Sequence, residues 1–137
     1  MTPLHFDAVG TPQPQGSAKA FVVGGKARIT SDNTRLKPWR EAVVYAAWDA
    51  MERAGWTTTE APVEVTLSFR LPRPKSVRRT WPTVRPDLDK LTRAVLDSMT
   101  TAGVFGDDSQ VIAVYASKAY ANGLPGVTIT VSEREHS

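Results

Sequence analysis

The chain has 137 residues, no cysteine, a formal net charge of +3 and a sequence pI near 9.4. That length suits a single domain, residues 1–137, and the missing cysteines exclude disulfides and thiolate metal sites. The N-terminal stretch has neither the basic start nor the apolar centre of a signal peptide, and no run reaches membrane-spanning length, so a soluble cytoplasmic protein with no membrane partner is expected.

Leu4, Phe6 and Ala8 alternate with His5 and Asp7, which predicts a first strand with His5 on its exposed face. The glycines and prolines of residues 10–17 mark a loop. Residues 21–23 and 26–30 read as a hairpin turning at Gly24-Gly25. Neither Gly16-Ser17-Ala18-Lys19 nor Gly24-Gly25-Lys26 has the spacing of a phosphate-binding loop, so no nucleotide cofactor is expected. Pro38 suits the first position of a helix, whose apolar face is Trp39, Val43, Ala46, Ala47, Ala50 and Ala54 and whose stop is Gly55.

After Pro62, Val63, Val65, Leu67, Phe69 and Leu71 alternate with Glu64, Thr66, Ser68 and Arg70, the pattern of a strand with one wet face. Residues 72–86 are an irregular loop rich in proline and arginine. Arg70, Arg73, Lys75, Arg78, Arg79 and Arg85 follow one another with no acid between them, and Lys19 joins them as a candidate DNA contact. Trp81 lies within this run. Arginines beside an exposed aromatic can hold phosphates and stack on an unpaired base, although Trp81 can equally anchor the loop to the core.

A second helix opens at Asp87-Leu88-Asp89, with Leu88, Leu91, Val95 and Met99 as its apolar stripe and Gly103 as its stop. Asp87 at the unwound entry and Asp89 in the first turn can face one point in space. Asp107 and Asp108 follow the helix, ahead of a strand over residues 110–118. If that strand packs on the same helix, Asp107 or Asp108 can join the first pair. Crowded carboxylates repel one another, and a divalent cation removes the conflict. Hard oxygen donors favour Mg²⁺ or Mn²⁺ over zinc, and such a cation supports phosphodiester hydrolysis. The ordinary alternatives are that Asp87 caps the helix, Asp89 pairs with Arg93, and Asp107-Asp108 form a turn.

Residues 122–126 turn the chain into a last strand carrying Val127, Ile129 and Val131, after which the polar residues 132–137 read as a frayed tail. The whole predicts an α+β fold, a mixed and mostly antiparallel sheet with two main helices on one face.

The blocks Gly10-Thr11-Pro12-x-Pro14-Gln15-Gly16-Ser17, Arg85-Pro86-Asp87-Leu88-Asp89-Lys90-Leu91 and Asp107-Asp108-Ser109-Gln110-Val111 resemble the RusA family of Holliday junction resolvases, often carried by phages and prophages. The resemblance implies a homodimeric, Mg²⁺-dependent endonuclease of recombination and repair that cuts four-way or other branched DNA by paired, symmetric incisions. It places the catalytic and metal-holding acids at Asp87, Asp89 and Asp108, with Asp107 as a neighbour. A basic catalytic residue falls at Arg93, where the family pattern has Lys; Lys90 is the nearest alternative. The competing reading is a non-catalytic module that binds branched DNA.

Overall fold

The computed structural model describes residues 2–16, 19–23, 26–30 and 34–135, with the side chains of 19–30 excepted. The expected Gly24-Gly25 turn and the side chain of Lys19 lie outside the described residues. Along the chain come β1 (Leu4–Val9), β2 (Lys19–Val23), β3 (Lys26–Thr30), α1 (Leu36–Ala54), β4 (Val63–Leu71), α2 (Leu88–Ala102), β5 (Val111–Tyr120) and β6 (Gly126–Glu133). The main sheet runs β1-β6-β4-β5, and β2 and β3 form a separate antiparallel pair. β6 is antiparallel to both β1 and β4, whereas β5 lies parallel to β4. Parallel neighbours need a crossover, and α2 supplies it. This is the expected mixed, mostly antiparallel sheet.

The register explains why one face is dry. Leu4, Phe6 and Ala8 stand opposite Val131, Ile129 and Val127, which in turn stand opposite Val65, Leu67 and Phe69. All of these are buried, and with Trp39, Val43 and Ala47 of α1 and Leu91, Val95 and Met99 of α2 they make one core. Burying each large apolar side chain contributes about 1.5–3 kcal/mol relative to exposure. The other face is polar. There Arg70 donates to Thr128 at 2.7 Å and faces Asp7 at 3.7 Å, while His5 meets the Thr130 hydroxyl at 2.7 Å.

Several boundaries differ from the sequence reading. α1 begins at Leu36, so Pro38 is its third residue; the first-turn N–H groups have no acceptor inside the helix, and proline costs little there. Val44 joins the buried face of α1, while Ala54 is exposed in the last turn. β5 starts at Val111 and continues to Tyr120, because Gln110 belongs to a single 3-10 turn over Asp108–Gln110. The polar stretch after Val131 is held as far as Arg134. Ser132 and Glu133 pair with β4, Thr59 donates to the Glu133 carboxylate at 2.5 Å, and Arg134 meets Glu64 at 2.7 Å.

β5 is the edge of the sheet, and Ile112, Val114 and Tyr115 on it are exposed. No helix among the described residues is long and apolar enough to cross a membrane.

Candidate active site

The acidic helix is built as its sequence suggests. Leu91, Ala94, Val95, Ser98 and Met99 are buried against the sheet, which turns Asp89, Arg93, Asp97 and Thr100 outward on one polar strip. Asp87 occupies the N-cap position with extended backbone, yet its side chain accepts no capping hydrogen bond. An Asp89–Arg93 ion pair does not form; Asp89 instead faces Lys90 at 3.6 Å. Arg93 is exposed on the strip, four residues from Asp89 and four from Asp97. The helix ends where Gly103 adopts φ 83° and its N–H reaches the Met99 carbonyl at 3.1 Å.

Two residues ahead of α2, the chain is fastened from the edge strand. The Lys118 ammonium donates to the Val84 and Pro86 carbonyls, both at 2.8 Å, and so fixes the approach to Asp87. Here residues 72–86, the loop 11–16 and the start of α2 enclose an open groove of about 830 Å³. Arg79, Arg85 and Lys90 line it together with Asp87, over an apolar floor that includes Pro82 and Tyr120. A groove of this kind, cationic and rich in proline, suits the backbone of a nucleic acid.

Not every basic residue of the run serves such a surface. Arg73 donates to the carbonyls of Val77, Arg79 and Thr80 at 3.4, 2.9 and 3.4 Å and lies 4.4 Å over the Tyr120 ring, so it folds the loop. Arg70 is engaged on the polar sheet face with Asp7 and Thr128. Lys75 and Arg78 are exposed, as is Trp81, which does not anchor the loop to the core.

The later acids divide. Asp107 caps the 3-10 turn, its carboxylate accepting from the Ser109 N–H at 3.1 Å. Gln110 completes that turn, accepting from the Gly106 and Asp107 N–H groups at 2.8 and 2.9 Å and donating to the Thr59 and Ala61 carbonyls at 2.9 and 3.0 Å. Asp108 instead leans on α2. Its carboxylate accepts from the Thr100 hydroxyl and lies against Asp97, whose own carboxylate accepts from the Gln15 side-chain amide. Burial, first, holds the Asp108 carboxyl above the usual carboxylate range; the Asp97 contact and the charges of Asp97 and Asp107 add to this, and the Thr100 hydrogen bond opposes it.

The expected meeting of Asp108 with Asp87 and Asp89 is therefore not made within one chain. No group of three acidic or imidazole side chains able to hold a metal ion occurs among the described residues. The reason is the length of α2: Asp108 packs beside Asp97, eight residues beyond Asp89 and roughly 12 Å along the helix axis. The donor chemistry nevertheless suits a hard cation. Asp97 and Asp108 are carboxylates in contact, with no ion pair to either among the described residues. That is an excess of negative charge which Mg²⁺ or Mn²⁺ would offset.

A family model described as endodeoxyribonuclease RusA matches residues 9–132. The chain belongs to the RusA endodeoxyribonuclease family. It is thus a nuclease, and the match takes in the acidic helix, the basic loop and the 3-10 turn together. Curated proteins offer no match. Sequence reasoning toward this RusA-family site missed Asp97, Thr100, Gln15 and Lys118. Asp97 carried a usable signal, since it stands one helical face from Asp89 and Arg93 at intervals of four. Lys118 carried none, because its role depends on the edge strand reaching a loop more than thirty residues earlier.

Proposed function

We propose that the chain is a Mg²⁺-dependent, structure-selective endonuclease that cuts four-way DNA junctions, or closely related branched DNA, during recombination and repair. The observation that carries the reading is the juxtaposition of the acidic strip of α2 with the cationic groove, in a chain matching the RusA family over residues 9–132. Asp108, beside Asp97, would hold the cation; Asp87 and Asp89, set apart from it along α2, are the further acids that the family resemblance assigns to the metal. When bound, Mg²⁺ supplies activation of water and stabilisation of charge on the cleaved phosphate.

The chain's own groups do the rest. Arg79, Arg85 and Lys90 grip backbone phosphates without reading bases. Arg93, exposed between Asp89 and Asp97, neutralises the scissile phosphate; a guanidinium offers two parallel donors where an ammonium offers a point charge. Lys118 keeps the entry to Asp87 in place. A four-way junction presents two equivalent phosphodiesters, and a homodimer presents two equivalent strips, so twofold symmetry matches enzyme to substrate.

The test is cleavage of a synthetic four-way junction against linear duplex, with and without Mg²⁺, by the wild type and by Asp89→Asn. The expected result is Mg²⁺-dependent, junction-selective cutting by the wild type, and junction binding without cutting by the variant. Cutting by Asp89→Asn would remove that acid from the mechanism, and binding without any Mg²⁺-dependent cutting by the wild type would leave a branched-DNA-binding module.

A further inference from the structure

Asp97 has no part in the acid set that the sequence resemblance supplies, yet more converges on it than on Asp87 or Asp89. Gln15 is fixed by its backbone N–H, which donates to the Lys90 carbonyl at 3.0 Å, and it delivers its side-chain amide to Asp97. The Gln15 Oε1 atom is itself buried without a hydrogen-bond partner. Asp97 in turn abuts Asp108, whose carboxylate also accepts from the Thr100 hydroxyl. The loop 11–16, the middle of α2 and the 3-10 turn are thereby joined through one side chain.

A purely structural link would not require a carboxylate there. An asparagine could accept from Gln15 and donate to Asp108, without setting one acid against another. It would also occupy a lone pair of Asp108. An ionised carboxylate is acceptor-only, so Asp97 can border Asp108 without taking up the lone pairs that the Thr100 hydroxyl leaves open for a ligand, and Gln15 keeps it from turning away. Partners behind a ligating group commonly set its orientation in this manner.

We infer that Asp97, backed by Gln15, is the positioning residue for Asp108: it fixes where that carboxylate points and keeps its lone pairs available. The inference rests on the nuclease reading above. It is tested with the full chain on a synthetic four-way junction, measuring kcat and KM for the wild type, Asp97→Asn and Gln15→Ala. Mn²⁺ binding to the DNA-free proteins is measured by calorimetry.

Both variants are expected to lower kcat by about 10- to 100-fold with KM unchanged, and to weaken Mn²⁺ binding by a similar factor. Asp97→Asn should melt no lower than the wild type, which separates the effect from misfolding, and Gln15→Ala provides the second route should one variant fail to fold. An Asp97→Asn protein with wild-type kcat and Mn²⁺ affinity would overturn the inference while leaving the nuclease reading intact. A raised KM at unchanged kcat would also overturn it, placing Asp97 on the DNA. A wild type that neither cuts nor binds Mn²⁺ would overturn both.

Discussion

The Lys118 ammonium donates to the Pro86 carbonyl at 2.8 Å, so a residue near the end of the edge strand holds the peptide that immediately precedes Asp87. A second bond from the same group, to the Val84 carbonyl, makes this a two-point fastening. Charge-assisted hydrogen bonds of this type contribute about 1.5–3 kcal/mol. Replacing Lys118 with Met keeps the aliphatic stem and removes both bonds. The expected outcome is a loss of about 1–2 kcal/mol in urea unfolding, together with slower junction cleavage at unchanged DNA affinity. Cleavage at the wild-type rate would show that the entry to α2 needs no such restraint.

Asp108 is held above the usual carboxylate range, chiefly by burial. A carboxyl raised in the folded state favours folding where it is protonated, below the ordinary carboxylate value of about 3.9. That advantage is lost as the pH rises through the raised value, and at neutral pH the ionised group disfavours the fold. Asp108→Asn should therefore melt above the wild type at pH 7, with the gap closing as the pH falls toward 3. The same variant should not cut DNA. Melting curves across pH and a junction assay check the two halves separately, and a variant less stable than the wild type at pH 7 would contradict the electrostatic account.

The four hydrogen bonds of Gln110 close the turn that carries Asp108 onto the segment 59–61. Gln110→Leu leaves two N–H groups and two carbonyls without that partner and should cost about 2–4 kcal/mol. Gln110→Glu retains the acceptors and loses the donors, so its cost should fall between the two proteins. Denaturant titration of all three gives the order.

Arginines of one loop should separate into two kinds. Arg79→Ala and Arg85→Ala remove groove cations, and each should reduce the slope of log affinity against log salt by about 1. Arg73→Ala removes three hydrogen bonds to the loop backbone and should instead lower stability by about 1–2 kcal/mol. Fluorescence anisotropy on labelled junction DNA over a range of salt concentrations, with thermal melts alongside, distinguishes the two kinds.

The fold was largely readable in the residues because local pattern and tertiary packing agree. The alternation through β4 and the stripe Leu91, Val95, Met99 on α2 each have one orientation that buries them, and the structure adopts it. Boundaries were lost where long-range pairing outweighed local polarity, as at Ser132 and Glu133, which the β4 neighbour holds in the sheet. In the site, spacing pointed to Asp87, Asp89 and one of Asp107 and Asp108, and the resemblance to Asp108, but neither pointed to their separation along α2. Whether a turn after a four-turn helix folds back to its beginning or stops alongside its later turns is decided by three-dimensional packing, and here Thr100 meets Asp108 in the last turn while Gln110 ties the turn to Thr59 and Ala61. The contact of Gln15 was hidden for the same reason: it meets Asp97 across 82 positions of chain.

Gly126 lies in β6 directly against β1, so close that a Cβ built there would fall 2.3 Å from the Ala8 carbonyl oxygen. Even one methyl would thus act as a wedge, prising the first strand from the rim of the sheet. That strand leads straight into the loop bearing Gln15, whose amide ends on Asp97. A single carbon atom added there would in this way be felt among the acids, through an unbroken run of backbone fewer than ten residues long.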